Sequence, residues 1–187
     1  MLTFFKKNWS TILLLLLVVV LFIPQTGTPI KVLFNRLIAF SPSEISEEKQ
    51  KTLSDYNWKL QNLDGTTAQF SSAEKKVTLV NIWATWCPPC IAEMPSMQAL
   101  YNTYKEDVSF YFVSIEDPKT VQTFMEKEKY NFPVYTTQDT FPEALQTNSF
   151  PTTYLISKNG KIVMHKTGAA DWDSESVYKT IDALVAE

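Results

Sequence analysis

The sequence contains few of the residues from which metal sites and disulfide frameworks are built. Its 187 residues include only two cysteines, Cys87 and Cys90, and one histidine, His165. This set excludes a network of structural disulfides and a zinc site with four cysteine or histidine ligands. The 17 basic residues stand against 20 acidic ones, so the chain has no basic excess for binding nucleic acid. We therefore expect no metal, no nucleic-acid partner and no cofactor other than the cysteine pair itself.

The two cysteines lie at the junction of a predicted strand and a predicted helix. Residues 77–83 form an apolar run typical of a strand buried on both faces, and residues 91–104 repeat apolar side chains at helical spacing. Cys87 falls at the predicted helix N-terminus, where free N–H groups and the helix dipole stabilise a thiolate. Cys90 follows one turn later, within disulfide range. The pattern indicates a redox-active pair, with a solvent-facing Cys87 as nucleophile and Cys90 as resolving thiol.

The segment ATWCPPCIAEMP, residues 84–95, resembles the active site of the thioredoxin superfamily, and in particular of its membrane-anchored, extracytoplasmic TlpA/ResA branch. The resemblance covers the chain from about Asp55 to its C-terminus. It implies an α/β, thioredoxin-like domain over residues 53–187, with a mixed central sheet flanked by helices. It also implies an N-terminal β-hairpin, which Asp64-Gly65 would turn, and a central helical insertion that begins near Pro118.

The same resemblance implies a set of substrate-binding residues. Phe150-Pro151-Thr152 matches the segment in which the superfamily keeps a cis-proline facing the dithiol, so that the backbone of residue 150 can pair with an extended substrate. Phe150 would be a specificity contact or simply a core residue. Trp86, Pro88 and Pro89 surround the cysteines and complete the predicted substrate surface.

Glu93 is the predicted proton acceptor for the inner thiol. It matches an acidic residue that the TlpA/ResA branch carries three positions after its second cysteine. Plain thioredoxins place a buried aspartate on the preceding strand, and here Asn81, which cannot titrate, takes that position. Burial would raise the carboxyl pKa toward the working pH. The alternative is a charge on the helix surface, and His165 is expected to be structural or on the surface.

The N-terminal region is predicted to anchor the domain to a membrane. Lys6 and Lys7 precede an apolar run in which residues 12–23 contain no polar side chain. We interpret residues 1–8 as a cytoplasmic N-terminus, residues 9–28 as a transmembrane signal-anchor and residues 29–52 as a juxtamembrane segment and linker. A cleaved signal peptide is the alternative. Residues 30–40 are amphipathic and would lie at a membrane surface or pack on the domain. The polar stretch from Ser41 to Ser54 would be a solvated linker or a capped short helix.

Together these features predict a single-pass protein of the bacterial cytoplasmic membrane, with its catalytic domain on the periplasmic or extracytoplasmic side. The expected activity is thiol–disulfide exchange with protein substrates, as a reductase that draws electrons from a transmembrane thiol donor. The resemblance suggests apocytochrome c as a client, in cytochrome c maturation. The alternatives are an oxidase or isomerase resembling DsbA, and a module that binds metal or haem as a chaperone.

Overall fold

The computed structural model describes residues 8–187 and, in the N-terminal helices, all side chains except those of residues 10, 16–18, 21, 22 and 24–26. The predicted cytoplasmic N-terminus therefore lies outside the described residues, apart from Asn8. The described part contains five α-helices: α1 (Trp9–Phe22), α2 (Pro24–Leu37), α3 (Pro88–Tyr104), α4 (Pro118–Glu128) and α5 (Glu175–Ala186). Its seven strands are β1 (Lys59–Asn62), β2 (Thr67–Gln69), β3 (Thr78–Trp83), β4 (Ser109–Ser114), β5 (Val134–Thr136), β6 (Thr152–Ile156) and β7 (Ile162–Thr167).

The strands form one mixed sheet in the order β2-β1-β5-β4-β3-β6-β7. The three strands β3, β4 and β5 run parallel, whereas β6 pairs with β3, and β1 with β5, in antiparallel fashion. Helices α3 and α4 provide the crossovers that parallel neighbours require. The β1–β2 pair is the predicted hairpin, and α4 with β5 is the predicted insertion. This architecture confirms the predicted fold class.

Strand β3 lies in the middle of this sheet and is buried along its whole length. Its side chains alternate between two apolar cores, as the pleat of a strand requires. Leu79 and Trp83 belong to a core shared with α3, α4 and α5, whereas Val80 and Ile82 belong to a core that includes the buried aromatic residues Trp58 and Phe70. Because Asn81 alternates with Val80 and Ile82, its side chain lies on the same face as α3.

The polar residues 40–53 lie along the outer edge of β7. The Ile45 N–H donates to the Val163 carbonyl at 2.8 Å, and the Ile162 N–H donates to the Lys51 carbonyl at 2.9 Å. Most of these residues are exposed, but a segment that pairs with a strand is not a free linker, and its short helix is a single 3-10 turn at Glu47–Lys49. Backbone pairing with an open sheet edge does not depend on apolar side chains, so the polar composition gave no sign of it.

The N-terminal region contains two helices of 14 residues each, α1 and α2. Ile23 separates them with an extended backbone, and Pro24 opens α2 at a position where its missing N–H costs no helix hydrogen bond. Among residues 8–187, none of the helices has both the length and the apolar character needed to cross a bilayer. The membrane anchor over residues 9–28 stays a prediction.

Candidate active site

Cys87 and Cys90 form a disulfide at the N-terminus of α3. Cys87 is the N-cap residue, Pro88 occupies the first helical position, and the Cys90 N–H donates to Cys87 Sγ at 3.2 Å. The prediction that Cys87 faces solvent is wrong in this disulfide state, because Cys87 is 3% exposed and Cys90 is fully buried. Local spacing placed the sulfurs correctly at the helix terminus, but it does not report how deeply the folded domain buries them.

A carboxylate that sequence reasoning missed holds the loop before Cys87. Glu116 accepts hydrogen bonds from the Thr85 N–H at 2.7 Å and from the Thr85 hydroxyl at 2.8 Å, and it also accepts one from the Ser114 hydroxyl at 3.1 Å. Glu116 follows β4, and Thr85 follows β3. The carboxyl ends of neighbouring parallel strands meet at one edge of a sheet. Applied to the predicted strands β3 and β4, this rule could have predicted the contact between Glu116 and Thr85.

Trp86 and Phe150 form the exposed apolar surface beside the disulfide. The Trp86 side chain is 65% exposed, and its ring meets that of Phe150 edge-on at a centroid distance of 6.1 Å. Phe150 is half-buried and packs on both cores, which agrees with the core role, whereas its role as a specificity contact stays a prediction. Pro88 and Pro89, which are half-buried, lie between the cysteines.

The Phe150–Pro151 peptide bond is cis, which confirms the expectation drawn from the resemblance. The Pro151 carbonyl accepts a hydrogen bond from the Gly168 N–H at 2.9 Å. Thr152, another predicted substrate contact, is fully buried, and its hydroxyl donates to the Ser149 carbonyl at 2.8 Å. The Thr152 side chain therefore supports the loop that carries the cis-proline and is not exposed to a substrate in this state.

Glu93 is buried one helical turn beyond Cys90, so the alternative of a surface charge is wrong. One carboxylate oxygen accepts from the Asn81 side-chain amide at 2.8 Å. The other accepts from the Ala170 N–H and from the Trp172 indole N–H, both at 3.3 Å. Burial raises the pKa of Glu93 to about 8, although these three hydrogen bonds oppose the rise. The site thus contains a carboxyl group that titrates near neutral pH.

Asn81 links Glu93 to the strand that follows the cis-proline. Its amide nitrogen also donates to the Thr153 hydroxyl at 2.7 Å, while its side-chain oxygen has no hydrogen-bond partner among the described residues. The oxygen and the nitrogen of a side-chain amide are distinguished by their hydrogen-bond partners. Rotating the amide by half a turn would let its oxygen accept from a protonated Glu93. The Asn81 amide can therefore serve both protonation states of the carboxyl.

His165 lies apart from this network, as sequence reasoning expected. It is an exposed residue of β7, and its ring stacks on Tyr154 at a centroid distance of 4.6 Å. Burial and the nearby Lys51 lower its pKa. Across residues 8–187, no group of three or more His, Cys, Asp or Glu side chains is arranged to hold a metal ion.

Two curated relatives are similar in sequence to a large part of this chain. The thiol-disulfide oxidoreductase ResA of Halalkalibacterium halodurans is 36% identical over 115 residues, which are 60% of this chain and 65% of the relative. The thioredoxin-like protein YneN of Bacillus subtilis is 29% identical over 160 residues, 83% of this chain and 87% of the relative. The chain therefore spans slightly less than two thirds of the ResA protein that it matches.

Comparison with solved structures supports the same fold. A protein from Chlorobium tepidum, described as a proposed thiol:disulfide interchange protein DsbE, matches with a TM-score of 0.62 and 24% sequence identity. The match covers 73% of this chain and 97% of that one, so the thioredoxin-like domain corresponds over nearly the whole of the smaller protein. The family model for Redoxin matches residues 46–181, which include both cysteines, Glu93 and Pro151. The chain therefore belongs to the Redoxin family.

Proposed function

We propose that the protein is a thiol–disulfide oxidoreductase that reduces disulfides in protein substrates outside the cytoplasm. The observation that carries the proposal is the Cys87–Cys90 disulfide at a helix N-terminus, with the buried carboxyl of Glu93 one turn further along the helix. The helix terminus favours a thiolate at Cys87, and Glu93 supplies a proton acceptor close to the inner cysteine. The exposed Trp86 beside the cis-proline loop provides a surface for an extended polypeptide.

In the first half of the reaction, the Cys87 thiolate of the reduced protein attacks one sulfur of a substrate disulfide. A mixed disulfide forms, and the other substrate sulfur leaves as a thiolate. Cys90 then transfers its proton to the Glu93 carboxylate and attacks the Cys87 sulfur. The second substrate sulfur leaves, and the Cys87–Cys90 disulfide is restored. The substrate has gained two electrons, and the protein has lost two.

Each cycle requires a donor that returns two electrons to the Cys87–Cys90 disulfide. We propose a transmembrane thiol protein for this role and apocytochrome c as one client class, because the catalytic domain resembles the TlpA/ResA branch. The N-terminal apolar helix, α1, would hold the domain at the outer side of the bacterial cytoplasmic membrane. An oxidase would use the same residues in the opposite direction, and an isomerase would use them without net electron transfer, so the direction of transfer has to be measured separately.

Trapping of the mixed disulfide tests the proposed activity. In the Cys90→Ser variant, Cys87 can attack a substrate disulfide, but no resolving thiol is present to release the product. We expect a covalent adduct with a disulfide-containing protein such as insulin, which dithiothreitol cleaves. The matched Cys87→Ser variant keeps one thiol and should accumulate far less adduct. Equal adduct in both variants would contradict the assigned roles, and its absence in both would contradict the proposed activity.

A further inference from the structure

Helix α2 carries an exposed apolar stripe that no part of the described chain covers. Four residues form this outer stripe, and their exposed fractions range from 44% to 75%: Ile30, Leu33, Phe34 and Leu37. Their spacing places them on one side of the helix. Ile38 and Phe40 continue the apolar surface beyond the helix end. Isolated exposed apolar residues are ordinary, but a continuous stripe along a helix marks a contact surface.

The opposite side of α2 faces the catalytic domain, and it is the less apolar side. Thr28, Val32 and Asn35 lie on this side and are half-buried. Helix α2 packs on α3, the helix that carries the two cysteines. A surface helix of a water-soluble protein points its apolar stripe at the core and its polar residues outward. Helix α2 has the reverse orientation, so we expect its outer stripe to contact an apolar surface and not water.

Two features of the N-terminal helices indicate that the outer stripe contacts lipid. At about 100° of rotation per residue, Lys31 and Arg36 fall on the two flanks of the outer stripe. Both are exposed, and Arg36 also lines the groove between α2 and α3. Exposed basic side chains on these flanks can reach the headgroups of anionic lipids. The apolar helix α1 ends one residue before α2 begins, and its described side chains include the exposed Trp9, Leu14 and Val19. Exposed apolar side chains thus follow one another along the chain through both helices. An apolar stripe with basic flanks is typical of helices that lie in a membrane interface.

We propose that α2 lies in the headgroup region of a lipid bilayer, with its outer stripe buried in the membrane and its inner side packed on the catalytic domain. This inference rests on the proposed membrane location. Since α2 contacts α3 directly and the Phe40 carbonyl accepts from the Asp171 N–H at 3.3 Å, the domain is held against the bilayer in one orientation. The disulfide then stays close to the membrane, where a transmembrane thiol donor would meet it.

Photocrosslinking to lipid in the full-length protein tests this placement. We would introduce p-benzoylphenylalanine at Phe34 and reconstitute the protein with vesicles of phosphatidylethanolamine and phosphatidylglycerol. The matched control carries the same photoreactive group at Thr67, an exposed position on β2 at the sheet edge opposite β7. We expect several-fold more phospholipid adduct, measured by intact mass, at position 34 than at position 67. Replacing Leu33 and Leu37 with Glu should lower the adduct at position 34 several-fold, whereas Glu at Thr67 and Gln69 should not.

The possible results distinguish failure of the interfacial placement from failure of the proposed membrane location. If the protein floats with the vesicles but position 34 yields no more lipid adduct than position 67, the interfacial placement is wrong and the membrane location stands. A crosslinked dimer in place of a lipid adduct would assign the stripe to a second copy of the chain and overturn the proposal. Failure to float would overturn the membrane location and this inference together. The disulfide-trapping experiment needs no lipid, so its outcome is independent of these.

Discussion

Replacing Glu93 with Gln should change how the stability of the oxidised protein depends on pH. Glutamine has nearly the same shape as a protonated glutamate. Its oxygen can accept from the Ala170 and Trp172 N–H groups, and its NH2 group can donate to the rotated Asn81 amide. The substitution therefore removes the titration of residue 93 and keeps the buried hydrogen bonds.

The magnitude follows from the pKa of Glu93. Burial raises it from the ordinary value of 4.5 to about 8, so the unfolded chain releases the proton near pH 4.5 and the folded chain only near pH 8. Between these values the folded state binds more protons, and the free energy of unfolding falls as pH rises. One pKa unit is worth about 1.36 kcal/mol, so the whole decline amounts to roughly 5 kcal/mol.

Urea unfolding of the oxidised protein at several pH values between 4 and 9 would measure this decline. The Glu93→Gln variant should lack it, so the variant gains stability relative to the parent protein as pH rises, by about 5 kcal/mol in all. Glu106→Gln, at an exposed position, is the matched control and should follow the parent protein. If Glu93→Gln and the parent protein lost stability in parallel across this range, Glu93 would not be the buried titrating carboxyl described above.

Three further substitutions test the site from other directions. Asn81→Leu removes a hydrogen bond that stabilises the Glu93 carboxylate and should therefore raise the pKa of Glu93 further. The increase of turnover with pH should then occur at higher pH, and an increase at unchanged pH would show that Glu93 does not accept the proton. Trp86→Ala should change the free energy of unfolding by less than about 0.5 kcal/mol but lower kcat/KM for a protein disulfide several-fold, and unchanged kcat/KM would exclude Trp86 from the substrate surface. Met97→Ala truncates a fully buried side chain of α3 and should lower the free energy of unfolding by about 2–5 kcal/mol. A smaller loss would mean that neighbouring side chains move into the cavity left by the truncation.

Local sequence patterns were sufficient for the elements that carry the site. The apolar run of β3, the cysteine spacing and the helical repeat of α3 are short-range signals, and the structure has all three. The cis peptide before Pro151 came from the resemblance, because no periodicity reports an isomer. The burial of Glu93 was one of two readings, since a carboxyl on a helix can face either solvent or core.

The features that sequence reasoning missed depend on contacts between distant segments. Glu116 reaches Thr85 only because β3 and β4 lie side by side. Residues 40–53 pair through their backbone, which leaves no trace in side-chain composition. Cys87 is buried as part of the core, whereas its position at a helix terminus suggested exposure. In each case contacts between segments far apart in the sequence, which local patterns do not report, determine what surrounds the residue.

The reduction potential of the Cys87–Cys90 pair in the full-length protein tests the proposed function most directly. The detergent-solubilised protein would be equilibrated with dithiothreitol buffers of graded composition, and its free thiols would be trapped and counted. A reductase requires a potential near that of thioredoxin, about −270 mV, or lower. A value near −120 mV, which is typical of a strong oxidant such as DsbA, would contradict the proposed direction of electron transfer.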